Sequence, residues 1–144
     1  MTKLLPKTVG DLVALNVVIV ATLGPATAVE GVVSKIRITV NGTPMTATLV
    51  DRATTRDFVS LLPLTIPMRD LFAREKSGDL PRSLSEGGER KRTYEVGEVI
   101  YWSPSAHLAI FYLRDGPAIP SPGIIVLGKI GFGVEALNVP GQSP

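Results

Sequence analysis

Apolar and polar residues alternate through Lys35-Ile36-Arg37-Ile38-Thr39-Val40. This is the period of a half-buried strand, with Ile36, Ile38 and Val40 inward and Lys35, Arg37 and Thr39 outward. Asn41-Gly42 follows, a pair that tolerates the positive φ angles of a tight hairpin turn, and Met45 to Val50 returns with Met45, Ala47 and Leu49 on one face. The strongest strand signal lies in Gly97 to Tyr112, two strands joined by Ser103-Pro104-Ser105-Ala106. Val99, Tyr101 and Ser103 oppose Ile100 and Trp102; Leu108, Ile110 and Tyr112 oppose His107, Ala109 and Phe111. Both faces are mostly apolar, so this hairpin is expected to be covered on both sides, as in a small closed barrel with a helix packed outside.

Between the hairpins, Asp51 to Leu62 carries a helix-start signature, with Thr54 as the expected cap and Asp57 complementing the positive helix end. Phe58, Leu61 and Leu62 form one narrow apolar stripe, and Pro63 stops the helix. Leu64 to Met68 predicts a strand in which Pro67 marks an edge or a bulge. Asp70 to Lys76 is polar, and Ser77 to Arg92, rich in Gly and Arg, has no periodicity and is expected to be a solvated, flexible insertion. Pro117, Pro120 and Pro122 hold an extended connection, Gly123 to Ile130 is a final apolar strand, and Val134 to Leu137 is a helical turn.

The beginning of the chain has a different character. Lys3 and Lys7 precede an apolar run, Leu12 to Leu23, and Ala26-Thr27-Ala28 ends a small-residue turn. This order matches a secretory signal over 1–28 with a linker over 29–34, which places the domain at 35–137, a fraying tail at 138–144, and the protein outside the cytoplasm, in the periplasm or secreted. Asp11 and Pro6 depart from that pattern; the alternative reading makes Leu12 to Leu23 a strand or helix of the domain itself, with a cytoplasmic location. The run is shorter than the ~20 apolar residues of a membrane-spanning helix, so no stable membrane anchor is expected.

With 144 residues, 44% apolar and 19% charged, the chain suits one domain and is not disordered as a whole. A formal charge of +2 gives no footprint for nucleic acid, and Arg90-Lys91-Arg92 is too short a basic run to make one. Cysteine is absent and histidine occurs once, which removes thiol chemistry and leaves no expected metal site or cofactor.

Asp51 with Thr54-Thr55-Arg56-Asp57-Phe58, Leu61-Leu62-Pro63-Leu64, Leu80-Pro81, Gly97-Glu98-Val99-Ile100-Tyr101-Trp102, Leu108-Ala109-Ile110-Phe111-Tyr112 and Leu127-Gly128-Lys129-Ile130 together resemble the bacterial cyclophilin-like fold proteins. The resemblance spans roughly Ser34 to Leu137. It implies a mainly β fold, a closed eight-stranded β-barrel with one or two short helices. It implies far less about activity, since a fold does not carry its function with it; the expected function is a non-catalytic or weakly catalytic binding domain for a peptide segment or small ligand. Cyclophilins proper are peptidyl-prolyl isomerases, whose Arg beside a proline pocket stabilises an imide twisting over a barrier of ~20 kcal/mol. Their Phe-His-Arg, Phe-Met and Gln-Gly-Gly segments are missing here. Isomerisation is therefore the alternative function, requiring Arg69 or Arg92 to face a pocket containing Phe72, Tyr94 or Tyr101.

Candidate ligand-binding residues are Arg92, Tyr94, Tyr101, Trp102 and His107, placed where the central hairpin meets the Arg-rich loop; the aromatics offer flat apolar faces with a polar atom. Asp51 and Arg56 are secondary candidates for an anion, although a local ion pair is the commoner use of such residues. A pairing of His107 with Ser103 or Ser105 has no acid near it in sequence and no Gly-x-Ser-x-Gly turn.

Overall fold

The computed structural model describes residues 15–22, 34–114 and 116–138. Its strands are β1 (Leu15–Ala21), β2 (Lys35–Val40), β3 (Thr43–Leu49), β4 (Leu64–Leu71), β5 (Glu75–Asp79), β6 (Arg90–Lys91), β7 (Glu98–Trp102), β8 (His107–Phe111) and β9 (Ile124–Ile130). Neighbours run β3-β2-β1-β4-β5-β8-β7-β9, all antiparallel, and β9 pairs back onto β3 from Ala47↔Ile130 to Leu49↔Gly128. Eight strands therefore close into a barrel, and β6 only extends β9. The helix α1 (Ala53–Val59) and 3-10 turns at Ser103–Ser105 and Val134–Leu137 complete the described structure. This is the mainly β, eight-stranded fold expected above.

The eighth strand comes from an unexpected place. Leu15–Ala21, inside the apolar run matched to an export signal, is β1, held between β2 (Val17↔Val40 to Ala21↔Ile36) and β4 (Leu15↔Met68 to Ile19↔Leu64). Leu15, Val17 and Ile19 are buried in the barrel's interior cluster. Of the two readings of that run, the described residues adopt the strand, so the barrel begins ahead of Lys35. The cleavage site at Ala26-Thr27-Ala28 and residues 139–144 of the tail lie outside the described residues.

The alternation read from the central hairpin holds in three dimensions. Val99, Tyr101, Leu108, Ile110 and Tyr112 join Ile36, Ile38, Val40, Met45 and Ala47 in the interior. Ile100, Ala109 and Phe111 face outward, where Ile119, Ile124, Tyr94 and Trp102 pack on them. The outer cover is thus extended chain, not the helix. Instead α1 contributes Phe58, fully buried, to the interior cluster.

Several local expectations are corrected. The residue before the helix is Arg52, without a side-chain cap, and the Thr54 hydroxyl is buried inside the first turn with no protein partner. Asp57 binds a loop instead of the helix start: Arg82 Nη2 donates to Oδ1 at 2.8 Å and the Ser85 N–H to Oδ2 at 2.7 Å. The Arg82 hydrogen bonds, followed by the Ser85 N–H, hold the Asp57 carboxyl below the usual carboxylate range. Leu80 and Leu84 enter the core, and the Leu84 N–H donates to the Tyr101 hydroxyl at 3.0 Å. The segment expected to be a flexible insertion is therefore pinned, and its first residues are part of β5.

Pro67 sits not at an edge but in β4, opposite Asn16 of β1. Its carbonyl oxygen faces Gly78 of β5, so closely that a Cβ on Gly78 would stand 2.6 Å from it. The missing proline N–H faces that same side, beyond the Arg69–Leu71 stretch paired with β5. No pairing in that ladder depends on it.

β5 buries polar side chains, which explains why periodicity does not reveal it. Lys76 Nζ lies 3.2 Å from Asp70 Oδ1, with the two side chains 1% and 3% exposed. The Tyr112 hydroxyl also donates to Asp70. Burial pushes the Asp70 carboxyl up, but the Tyr112 hydrogen bond and Lys76 outweigh it and leave it below its ordinary value.

Candidate functional site

The outer face of β5, β8 and β7 floors a cleft of about 310 Å³ bounded on its far side by Ile119, Pro120 and Ile124. Its floor is Ile100, Ala109 and Phe111; Trp102, His107 and Ser105 stand at one end, and Phe72, Arg74 and Glu75 at the other. The lining is mainly apolar, and its charged members Arg74 and Glu75 are themselves buried. This volume suits one or two side chains or a small ligand.

Arg74 is fixed rather than mobile. Its guanidinium carbon is 5.1 Å from the Tyr94 ring centroid, 5.4 Å from Phe72 and 5.6 Å from Phe111. Nε donates to Glu75 Oε2 at 3.1 Å and Nη1 to the Pro117 carbonyl at 2.9 Å. Burial pushes the Glu75 carboxyl up, and its neighbour Arg74 only partly opposes that shift. Tyr94 and Phe111 stack with centroids 4.1 Å apart and ring planes 18° apart, so Tyr94 packs beside the floor on the same outer face.

Phe72 reaches the rim from a left-handed turn: Phe72 has φ 58° and Ala73 φ 53°, while Asp70 Oδ2 accepts from the Ala73 N–H at 2.9 Å. Neither residue type favours that conformation, and a bulky side chain there costs of order 1–3 kcal/mol. The double variant F72N/A73G is expected to raise stability by about 1–2 kcal/mol. The check is a higher urea midpoint at unchanged slope; a lower midpoint would mean that the Phe72 ring over Arg74 outweighs the backbone strain.

The expected site residues separate into five places. Trp102 and His107 line the cleft. Tyr94 lies beside its floor, stacked on Phe111, and Tyr101 is inside the barrel, fully buried, with its hydroxyl occupied by Leu84. Arg92 donates from Nε to the Ile119 carbonyl at 2.7 Å and lines a separate depression with Thr93, Arg114 and Pro117. Asp51 and Arg56 pair with each other in solvent beside α1. The cleft therefore lies between the central hairpin, β5 and the Ile119–Ile124 strap, not beside the Arg-rich loop. Arg69 lines a neighbouring groove with Gly78, Asp79 and His107.

Phe72, named only as a pocket residue of the isomerase alternative, lines the cleft, whereas Arg74, Glu75 and Asp79 were not anticipated. Each becomes a neighbour of the hairpin only through the β5–β8 ladder, Glu75↔Phe111 to Asp79↔His107.

At the Trp102 end, Ser105 Oγ lies 3.2 Å from His107 Nδ1, and Asp79 Oδ1 lies 2.7 Å from His107 Nε2. The acid absent from the local sequence is supplied by the adjacent strand.

Comparison with known proteins gives two findings. The model of the Cyclophilin-like family matches residues 38–142. Among solved structures, the chain is similar to a hypothetical protein from Archaeoglobus fulgidus determined in solution, with a TM-score of 0.51 and 17% identity over 82% of this chain and 80% of that one. That likeness is one of fold. No curated protein matches the chain.

Proposed function

The chain belongs to the cyclophilin-like family, and from that premise we propose that it is a binding domain whose cleft takes an apolar side chain of an extended peptide segment. The observation that carries this reading is the preformed apolar cleft, floored by Ile100, Ala109 and Phe111 and flanked by Trp102 and Phe72. Apolar walls supply the affinity, and the few polar groups at the rim set the orientation of the peptide.

Arg74 favours a second reading, prolyl isomerisation. It is neither of the arginines anticipated from the sequence, yet it borders the cleft and lies over the Phe72 and Tyr94 rings. A guanidinium there can stabilise the charge on a twisting imide. Its Nε and Nη1 are already engaged by Glu75 and Pro117, which favours binding over catalysis.

One peptide tests both readings. Trp102 is the chain's single tryptophan, so titration with succinyl-Ala-Ala-Pro-Phe-p-nitroanilide is expected to give a saturable change in intrinsic fluorescence. A strictly linear response up to millimolar peptide would sink the binding reading. In a protease-coupled assay on the same peptide, a cis-to-trans rate equal to buffer removes the isomerase; acceleration that disappears in R74K, which lacks the planar fork, establishes it.

A further inference from the structure

The chain Ser105–His107–Asp79 has the connectivity of an activated nucleophile, and it opens on the cleft. Asp79 and His107 are directly opposed across the β5–β8 ladder. An ionised carboxylate only accepts, so the hydrogen bond to Asp79 places a proton on His107 Nε2. In the neutral ring Nδ1 is then an acceptor, and the Ser105 hydroxyl is within reach at 3.2 Å. The corner is also held in place. Pro104 lies within the 3-10 turn, Ala106 adopts φ 55°, and the Leu80 N–H donates to the Ala106 carbonyl at 2.9 Å, tying the turn to the end of β5. Ser105 and His107 both line the cleft, while Ser105 is open to solvent.

We propose that Ser105, His107 and Asp79 form an acyl-transfer site that hydrolyses carboxylic esters whose acyl chain fills the cleft. Ser105 Oγ bonds to the ester carbonyl carbon as His107 Nδ1 takes the hydroxyl proton. The carbon–oxygen bond to the alcohol then breaks, and Nδ1 passes that proton to the departing oxygen, releasing alcohol. Water completes the cycle by giving a proton to Nδ1 and bonding to the acyl carbon; the bond to Ser105 Oγ breaks, the serine recovers its proton and the acid leaves. Ester and water become acid and alcohol, with no other reactant. Asp79 acts through His107 as a positioning residue.

Only the choice of acyl group rests on the cleft reading of the preceding subsection, so the two can fail separately. Full-length protein is treated with a fluorophosphonate, and with p-nitrophenyl acetate and p-nitrophenyl butyrate. The expected results are a single adduct mapped to Ser105 by peptide mass spectrometry, faster turnover of the butyrate, and a loss of about 100-fold in S105A and H107Q. D79N is expected to lower the rate and D79E to restore it, which a purely structural role for the carboxylate would not produce. An adduct elsewhere or none, or S105A as fast as the wild type, overturns the proposal. Equal rates on the two esters with Ser105 labelled would overturn the cleft as acyl pocket and leave the relay standing. Ser105 and Asp79 are both exposed, so these substitutions leave the core intact.

Discussion

A chain shortened by its first 28 residues is expected not to fold into a stable monomer. The truncation removes β1 and with it the buried side chains of Leu15, Val17 and Ile19. At ~1.5–3 kcal/mol for each side chain, the lost burial is about 5–9 kcal/mol, comparable with the whole stability of an ordinary domain. It also strips β2 and β4 of their shared neighbour, leaving backbone N–H and C=O groups unpaired. The measurement is the urea transition of the 29–144 fragment against that of the full chain, with the N-terminus of protein from a native source read by mass spectrometry. A cooperative transition at the full-length midpoint would show that β1 is dispensable. Cleavage after Ala28 would take β1 away with the leader, so export with removal and closure by this strand are mutually exclusive states of one chain.

The second large effect is expected at the buried ion pair. Asp70→Asn should cost about 3–5 kcal/mol near neutral pH, because it leaves the Lys76 ammonium, 1% exposed, without its counter-charge. The sign with pH is set by the lowered Asp70 carboxyl. A carboxyl held below its unfolded value contributes stability above that value and loses it as the pH falls through the folded one. The gap between wild type and D70N should therefore be full at pH 7 and narrow in strong acid. Urea midpoints at the two extremes provide the check; a constant gap would mean that the asparagine loses shape or hydrogen bonds rather than charge.

The parts of the fold legible in the sequence were those in which one side chain in two is apolar. Ile36, Ile38 and Val40, Asn41-Gly42 at φ 50° and 80°, and the two faces of the central hairpin followed directly from period and turn chemistry. β5 was hidden because its buried positions are Glu75, Lys76 and Ser77, whose partners Arg74 and Asp70 become visible only after folding. β1 was ambiguous for a different reason: Leu, Val, Ile and Ala beside a small-residue turn serve equally for a leader and for a buried strand. Of the candidate site residues, Trp102 and His107 line the cleft. Arg92 and Tyr101 do not line it: Tyr101 is on the inner face that its alternation with Trp102 indicates, and local spacing does not tell which part of the barrel the loop of Arg92 will cover. Asp79 could not be found at all without the pairing that sets it against His107.

The return of β9 onto β3 has a further consequence. Each of the eight ring strands has a neighbour on both flanks, and the two-residue β6 is too short to template another. Among the described residues there is thus no long open strand margin on which a second copy could polymerise. Displacing the first strand would create two such margins at once, each able to capture an apolar segment from another chain, so fibril growth at low denaturant should follow its release.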